Sequence, residues 1–179
     1  DSSATLLRVA FFCLVAHAVL SAFSAFAFAT FLSPPLPAWL STPTNAKVYA
    51  LGYQFGGQTT VVLGALAGIL HAMGKLGSRT ALTIFGVSFT VSLGSELLGT
   101  STGLPFGVYG YSGLLGYKIL DLVPFNIPTS WFFMLYASLA ITARLLPAKD
   151  DVVSRWWWAF IGGVVLTAWD VSMDPAMVK

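Results

Sequence analysis

Three carboxylates carry the chemistry this sequence could do: Glu96, Asp170 and Asp174. Each falls near the end of a long apolar stretch, where an acid is costly and needs a reason. Ser88, Ser92 and Glu96 are spaced i, i+4, i+8; Thr167, Asp170 and Asp174 are spaced i, i+3, i+7. On helices, each set makes one polar face ending in acid. Pro175 ends or bends its helix directly after Asp174. Apolar surroundings disfavour the ionised form of a carboxyl, and neighbouring acids push one another's proton affinities apart. A protonated and an ionised group side by side are what acid/base chemistry requires. Aromatic residues accompany the acids: Phe106, Tyr109, Tyr111, Tyr117, Trp131 and Trp169. Ring faces attract cations, so such a pocket suits a reaction through a carbocation. The competing structural account makes the rings interface aromatics and the acids helix caps or partners of Lys118.

The elements that must position these residues are legible from hydropathy. The chain has 179 residues, 56% hydrophobic and only 9% charged, against about 25% charged in a soluble domain. Five stretches have the roughly 20 apolar residues needed to cross a bilayer: 9–32, 48–73, 81–98, 127–146 and 156–173. The fold class expected is an all-α, polytopic membrane bundle of about five spanning helices. It is expected to form a single integral-membrane domain over 1–179, a fragment lacking further C-terminal helices. Residues 99–125 are rich in glycine and aromatics, too apolar for a solvated loop and too broken for a helix. They are read as a re-entrant or lid segment packed on the bundle, where irregular backbone is tolerated at membrane depth.

Alternating the five spans puts Arg8, Lys75, Arg79, Arg144, Lys149 and Arg155 on one face, and Lys47, Lys118 and Lys179 on the other. The positive-inside rule makes the first face, with the N-terminus, cytoplasmic. Glu96, the lid, the start of the fourth helix and Asp170 with Asp174 then share the opposite rim. Gly52, Gly56, Thr60, Gly64 and Gly68 recur every four residues, a stripe read as close helix packing rather than a ligand groove. His17 and His71 read as satisfied core or interface histidines and Cys13 as a small hydrophobe. A net charge of +2 with no cluster of Lys and Arg excludes nucleic acid as a partner.

Two runs resemble a known family. Glu96-Leu-Leu-Gly-Thr-Ser-Thr-Gly-Leu-Pro-Phe-Gly-Val-Tyr-Gly-Tyr111, followed by Leu115-Gly116 and by Val123-Pro124 through Ile127-Pro128 to Trp131, is similar to the central signature of the membrane-bound carotenoid biosynthesis family that includes carotenoid 1,2-hydratases, of the bisanhydrobacterioruberin hydratase and γ-carotene types. Ala168-Trp169-Asp170-Val-Ser-Met-Asp174-Pro175-Ala-Met177 matches its second signature. The resemblance spans the third helix to the C-terminus. It implies addition of water across the terminal double bond of an acyclic ψ-end, giving a tertiary alcohol, with no metal and no redox cofactor. It implies catalytic roles at Glu96, Asp170 and Asp174 and substrate contacts at Phe106, Tyr109, Tyr111, Trp131 and Trp169. The partners implied are the lipid-dissolved carotenoid, the membrane lipids, in a plasma or photosynthetic membrane, and other enzymes of the carotenoid pathway.

Two other classes compete. A proton-coupled transporter or channel subunit also carries intramembrane acids, but the acids here gather at one rim rather than the midplane. A non-catalytic carotenoid-binding protein would return its pigment with unchanged mass.

Overall fold

A computed structural model describes residues 2–31, 37–105, 107–146 and 151–177, without side chains at 28, 31, 41, 170 and 172–177. Five long helices dominate: α1 (Ser2–Phe31), α2 (Pro43–Leu76), α3 (Ser78–Thr102), α4 (Asn126–Leu145) and α5 (Val152–Met177). Each contains most of the stretch that hydropathy marks. Three are long and apolar enough to cross a membrane, α1 over Ser2–Ala27, then α2 and α3. Among the described residues α4 and α5 fall below that mark, against the expectation of five spans. The reason in α4 is its polar content: Asn126, Thr129, Ser130, Ser138 and Thr142 are all buried. The helix sits inside the bundle, packed by α2, α3 and α5, so its surface need not match lipid. In α5, Arg155 and three tryptophans dilute the apolar run.

The helix joints follow from single residues. Pro43 stands in the first turn of α2, where its missing N–H costs nothing. The connection between α2 and α3 is Gly77 alone, at φ 82° and ψ 153°, a conformation only glycine adopts freely. Asp151 caps α5: Oδ1 accepts the Ser154 N–H at 2.8 Å and Oδ2 accepts the Ser154 hydroxyl at 2.7 Å. These bonds hold the Asp151 carboxyl below the usual carboxylate range.

The glycine stripe serves packing only in its second half. A Cβ on Gly64 would lie 3.1 Å from the His17 ring and 3.2 Å from Phe133, and one on Gly68 would lie 3.2 Å from Phe133. Nothing lies within 4 Å of a Cβ at Gly52 or Gly56. His17 donates from Nδ1 to the Thr60 carbonyl at 2.8 Å, and His71 pairs with the Tyr136 hydroxyl at 2.8 Å; both are interface histidines, as their sequence context suggests. Gly64→Leu therefore overfills the α1–α2–α4 junction, with an expected loss of roughly 1–3 kcal/mol. Gly52→Ala, in open space within a helix, is expected to be neutral or to stabilise by roughly 0.5–1 kcal/mol. Thermal unfolding of the two variants in detergent should move in these different directions.

The segment between α3 and α4 is irregular, as expected, but shorter at its start. α3 continues through Gly99 to Thr102 and ends on Gly103, whose φ of 75° forms a left-handed cap with its N–H on the Gly99 carbonyl. Beyond lie a 3-10 turn, Gly113–Leu115, and a two-stranded antiparallel ribbon, β1 (Lys118–Ile119) with β2 (Val123–Pro124). Lys118 pairs with Pro124 and Ile119 with Val123.

Candidate functional site

The site forms where this segment folds back on the end of α3. The Tyr109 hydroxyl donates to Glu96 Oε2 at 2.9 Å, and the Tyr111 hydroxyl donates to the same oxygen at 2.6 Å. The Trp131 indole N–H, from the second turn of α4, donates to Oε1 at 3.3 Å. The two tyrosine rings meet edge to face, 5.9 Å between centroids. One part-buried carboxylate thus collects three donors from two separate elements. All four residues were expected from the sequence, and they meet.

What lets Tyr109 reach Glu96 is Gly99. The Tyr109 hydroxyl lies where a Cβ on Gly99 would stand, with ring carbons 3.1 Å away. A glycine inside α3, one turn past Glu96, is the notch in which the phenol lies.

Four anchors hold the lid. Gln58 of α2 donates to the Leu114 carbonyl at 3.0 Å, and Asn126 at the start of α4 donates to the Leu115 carbonyl at 3.0 Å. Lys118 Nζ donates to the Tyr111 carbonyl, and the Phe125 N–H donates to the Tyr117 carbonyl at 2.9 Å. Gly116, at φ 87°, leaves room for the Gln58 amide, whose oxygen would lie 2.8 Å from an added Cβ. Gln58 and Asn126 are absent from the residues singled out in the sequence. The available signal was the cost of a primary amide in apolar surroundings, which demands a partner. Lys118, considered as a partner for an acid, instead fixes the backbone of the tyrosine that holds one.

Ser92, one turn before Glu96 on α3, is 8% exposed, and its hydroxyl has no hydrogen-bond partner among the described residues. Ser88, one turn earlier still, closes on the Phe85 carbonyl at 3.0 Å. Thus the polar stripe on α3 exists, but only its middle hydroxyl is open.

The remaining expected residues are placed unequally. Trp169 lies on α5, half exposed. Asp170 and Asp174 fall on the last turns of α5, and their side chains lie outside the described residues. Phe106 also lies outside the described residues. The extended packing of α5 is against α4, which brings it to the same central helix that carries Trp131. The end of α3 and the start of α4 share one end of the bundle, where Trp131 meets Glu96.

A part-buried carboxylate under a cover of phenols can orient a small polar molecule and accept its proton. The rings around it can face a developing positive charge. A family model described as carotenoid biosynthesis protein matches residues 56–179, from within α2 to the C-terminus, and so includes the lid, its anchors and every candidate site residue. No curated protein and no solved structure matches the chain.

Proposed function

We propose that this chain, which belongs to the carotenoid biosynthesis protein family, is a multi-pass membrane enzyme that adds water across the terminal 1,2 double bond of an acyclic ψ-ended carotenoid. The observation that supports this reading is the Glu96 carboxylate held by Tyr109, Tyr111 and Trp131 beneath the lid. The substrate is lipid-dissolved, whereas water comes from outside, and a site at the rim of the bundle serves both.

In this mechanism a protonated carboxyl, Asp170 or Asp174, gives its proton to the less substituted alkene carbon. The π pair forms the new C–H bond and leaves a tertiary cation. The rings of Tyr109, Tyr111, Trp131 and Trp169 stabilise that cation, with Phe106 lining the apolar end. Water oxygen attacks the cation, and Glu96 takes the proton that water releases. Transfer of that proton back to the aspartate restores the starting state, so the sum is alkene plus water to tertiary alcohol. With the N-terminus cytoplasmic, the site lies at the outer rim.

The test is mass spectrometry of pigments from a host that makes acyclic carotenoids and expresses the full-length protein. The expected result is a new pigment heavier by one water, absent with Asp170→Asn. Pigment that co-purifies with unchanged mass would replace this reading with carotenoid binding.

A further inference from the structure

Many helix hydroxyls among the described residues close on their own backbone. Thr60 donates to the Gly56 carbonyl, Thr83 to Arg79, Ser88 to Phe85, Ser138 to Met134 and Thr142 to Ser138. That local bond is the ordinary solution for Ser and Thr in an apolar helix. Ser92 departs from it: it is 8% exposed, and among the described residues its Oγ is bonded neither to its helix nor to any other group. A buried hydroxyl without a partner is costly, and such groups are ordinarily satisfied by water.

The neighbourhood indicates where that water sits. Glu96 is four residues on, so both side chains stand on one face, and a helical side chain leans toward the N-terminus of its helix. Ser92 and Glu96 thus stand one above the other on α3. The Glu96 oxygens are unequally used: among the described residues Oε2 takes both tyrosines, whereas Oε1 takes only the long indole bond of 3.3 Å. A carboxylate offers about four acceptor positions, so Oε1 has capacity left. Ser92 Oγ makes no direct bond to it. Two polar groups on one face, unbonded and each with capacity to spare, are the setting in which a single water bridges.

We propose that one water molecule is held between Ser92 Oγ and Glu96 Oε1, and that it is the water the reaction consumes. Ser92 is then a positioning residue, which acts by placing the nucleophile that Glu96 deprotonates. The inference rests on the hydration reading above and assigns where in the site the nucleophile waits. Capture proceeds by bond formation from the water oxygen to the tertiary cation, with one water proton passing to Glu96.

The experiment compares the wild-type chain with Ser92→Ala and Ser92→Thr, in membranes supplied with an acyclic ψ-ended carotenoid in D2O. Alcohol is measured together with deuterium in the recovered alkene. Wild type is expected to form alcohol carrying carbon-bound deuterium. Ser92→Ala is expected to lose alcohol formation by about 10–100-fold, the scale of a misplaced reactant. It should nevertheless accumulate deuterium in the alkene, because the cation still forms and decays by losing a methyl proton. Ser92→Thr restores the hydroxyl and is expected to recover most of the alcohol. Full alcohol formation by Ser92→Ala would overturn the proposal and leave the hydration reading standing. So would equal loss of alcohol and deuterium uptake, or a Thr variant that unfolds at the wild-type temperature yet remains as impaired as Ala. A wild-type chain that forms no alcohol and takes up no deuterium overturns the hydration reading and this inference together.

Discussion

Glu96→Gln is expected to lower hydration by about 10²–10⁴-fold, the usual worth of a positioned general base, with little change in thermal stability. The amide has nearly the shape of the carboxylate, so the lid can still close on it. Its hydrogen-bonding sense differs. The carboxylate accepts on both sides, from two phenols at one oxygen and from an indole at the other. An amide accepts only at its oxygen and donates at its nitrogen. If the oxygen keeps the tyrosines, the NH2 faces the Trp131 N–H, donor against donor. Phenols can turn to accept, but the indole cannot, so the favoured orientation is the reverse one, which keeps the oxygen on Trp131 and turns the NH2 to the phenols. The variant therefore removes a proton acceptor and reverses the phenol bonds at once, while the lid anchors at Gln58, Asn126 and Lys118 are untouched. Alcohol yield per folded protein, with unfolding temperature as control, measures the effect. Wild-type yield would remove Glu96 from the mechanism.

The parts of this molecule that hydropathy can see were legible in the sequence, and the parts made by pairs of distant residues were not. Five helices follow from five apolar stretches because helix formation in such surroundings is a local requirement. The end of α3 shows the limit. Hydropathy drops at Thr100, Ser101 and Thr102, which suggests an end at Leu98. The helix goes on, because those hydroxyls turn back onto carbonyls of their own helix, Thr100 on Glu96 and Thr102 on Leu98, and cost nothing there. The true stop is Gly103, where a left-handed residue can cap. The membrane-spanning measure fails for α4 for the opposite reason: a helix shielded by three others tolerates polar residues that a lipid-facing one would not. The grouping of Glu96 with the lid tyrosines was legible, since all lie within 16 residues. Its link to Trp131, 35 positions on, and the hold of Gln58 on Leu114, 56 positions on, depend on tertiary packing that no local pattern encodes.

The notch at Gly99 makes the geometry testable without touching any group that reacts. Gly99→Ala places a methyl where the Tyr109 hydroxyl now lies, with ring carbons Cε1 and Cζ at 3.1 Å. Alanine is the better helix former by roughly 0.5–1 kcal/mol, so α3 itself does not suffer. What must move is the far end of Tyr109, the part of that side chain with freedom to give way. Its bond to Glu96 is then lost while Tyr111 and Trp131 remain. The expected result is a fall in turnover of about 10–100-fold with unfolding temperature nearly unchanged, the magnitude associated with small displacements in a positioned site. Tyr109→Phe alone removes the same bond and is expected to fall less, since its ring keeps its edge-to-face contact with Tyr111. The double variant decides the cause. If the clash acts through the phenol oxygen, removing that oxygen relieves it, and Gly99→Ala with Tyr109→Phe should be no worse than Tyr109→Phe by more than a few-fold. Coupling of this kind is what contacting residues show and distant ones do not. Losses that simply multiply would mean that Gly99 acts on α3 or its neighbours rather than on the phenol. The notch would then have no part in placing Tyr109 on Glu96.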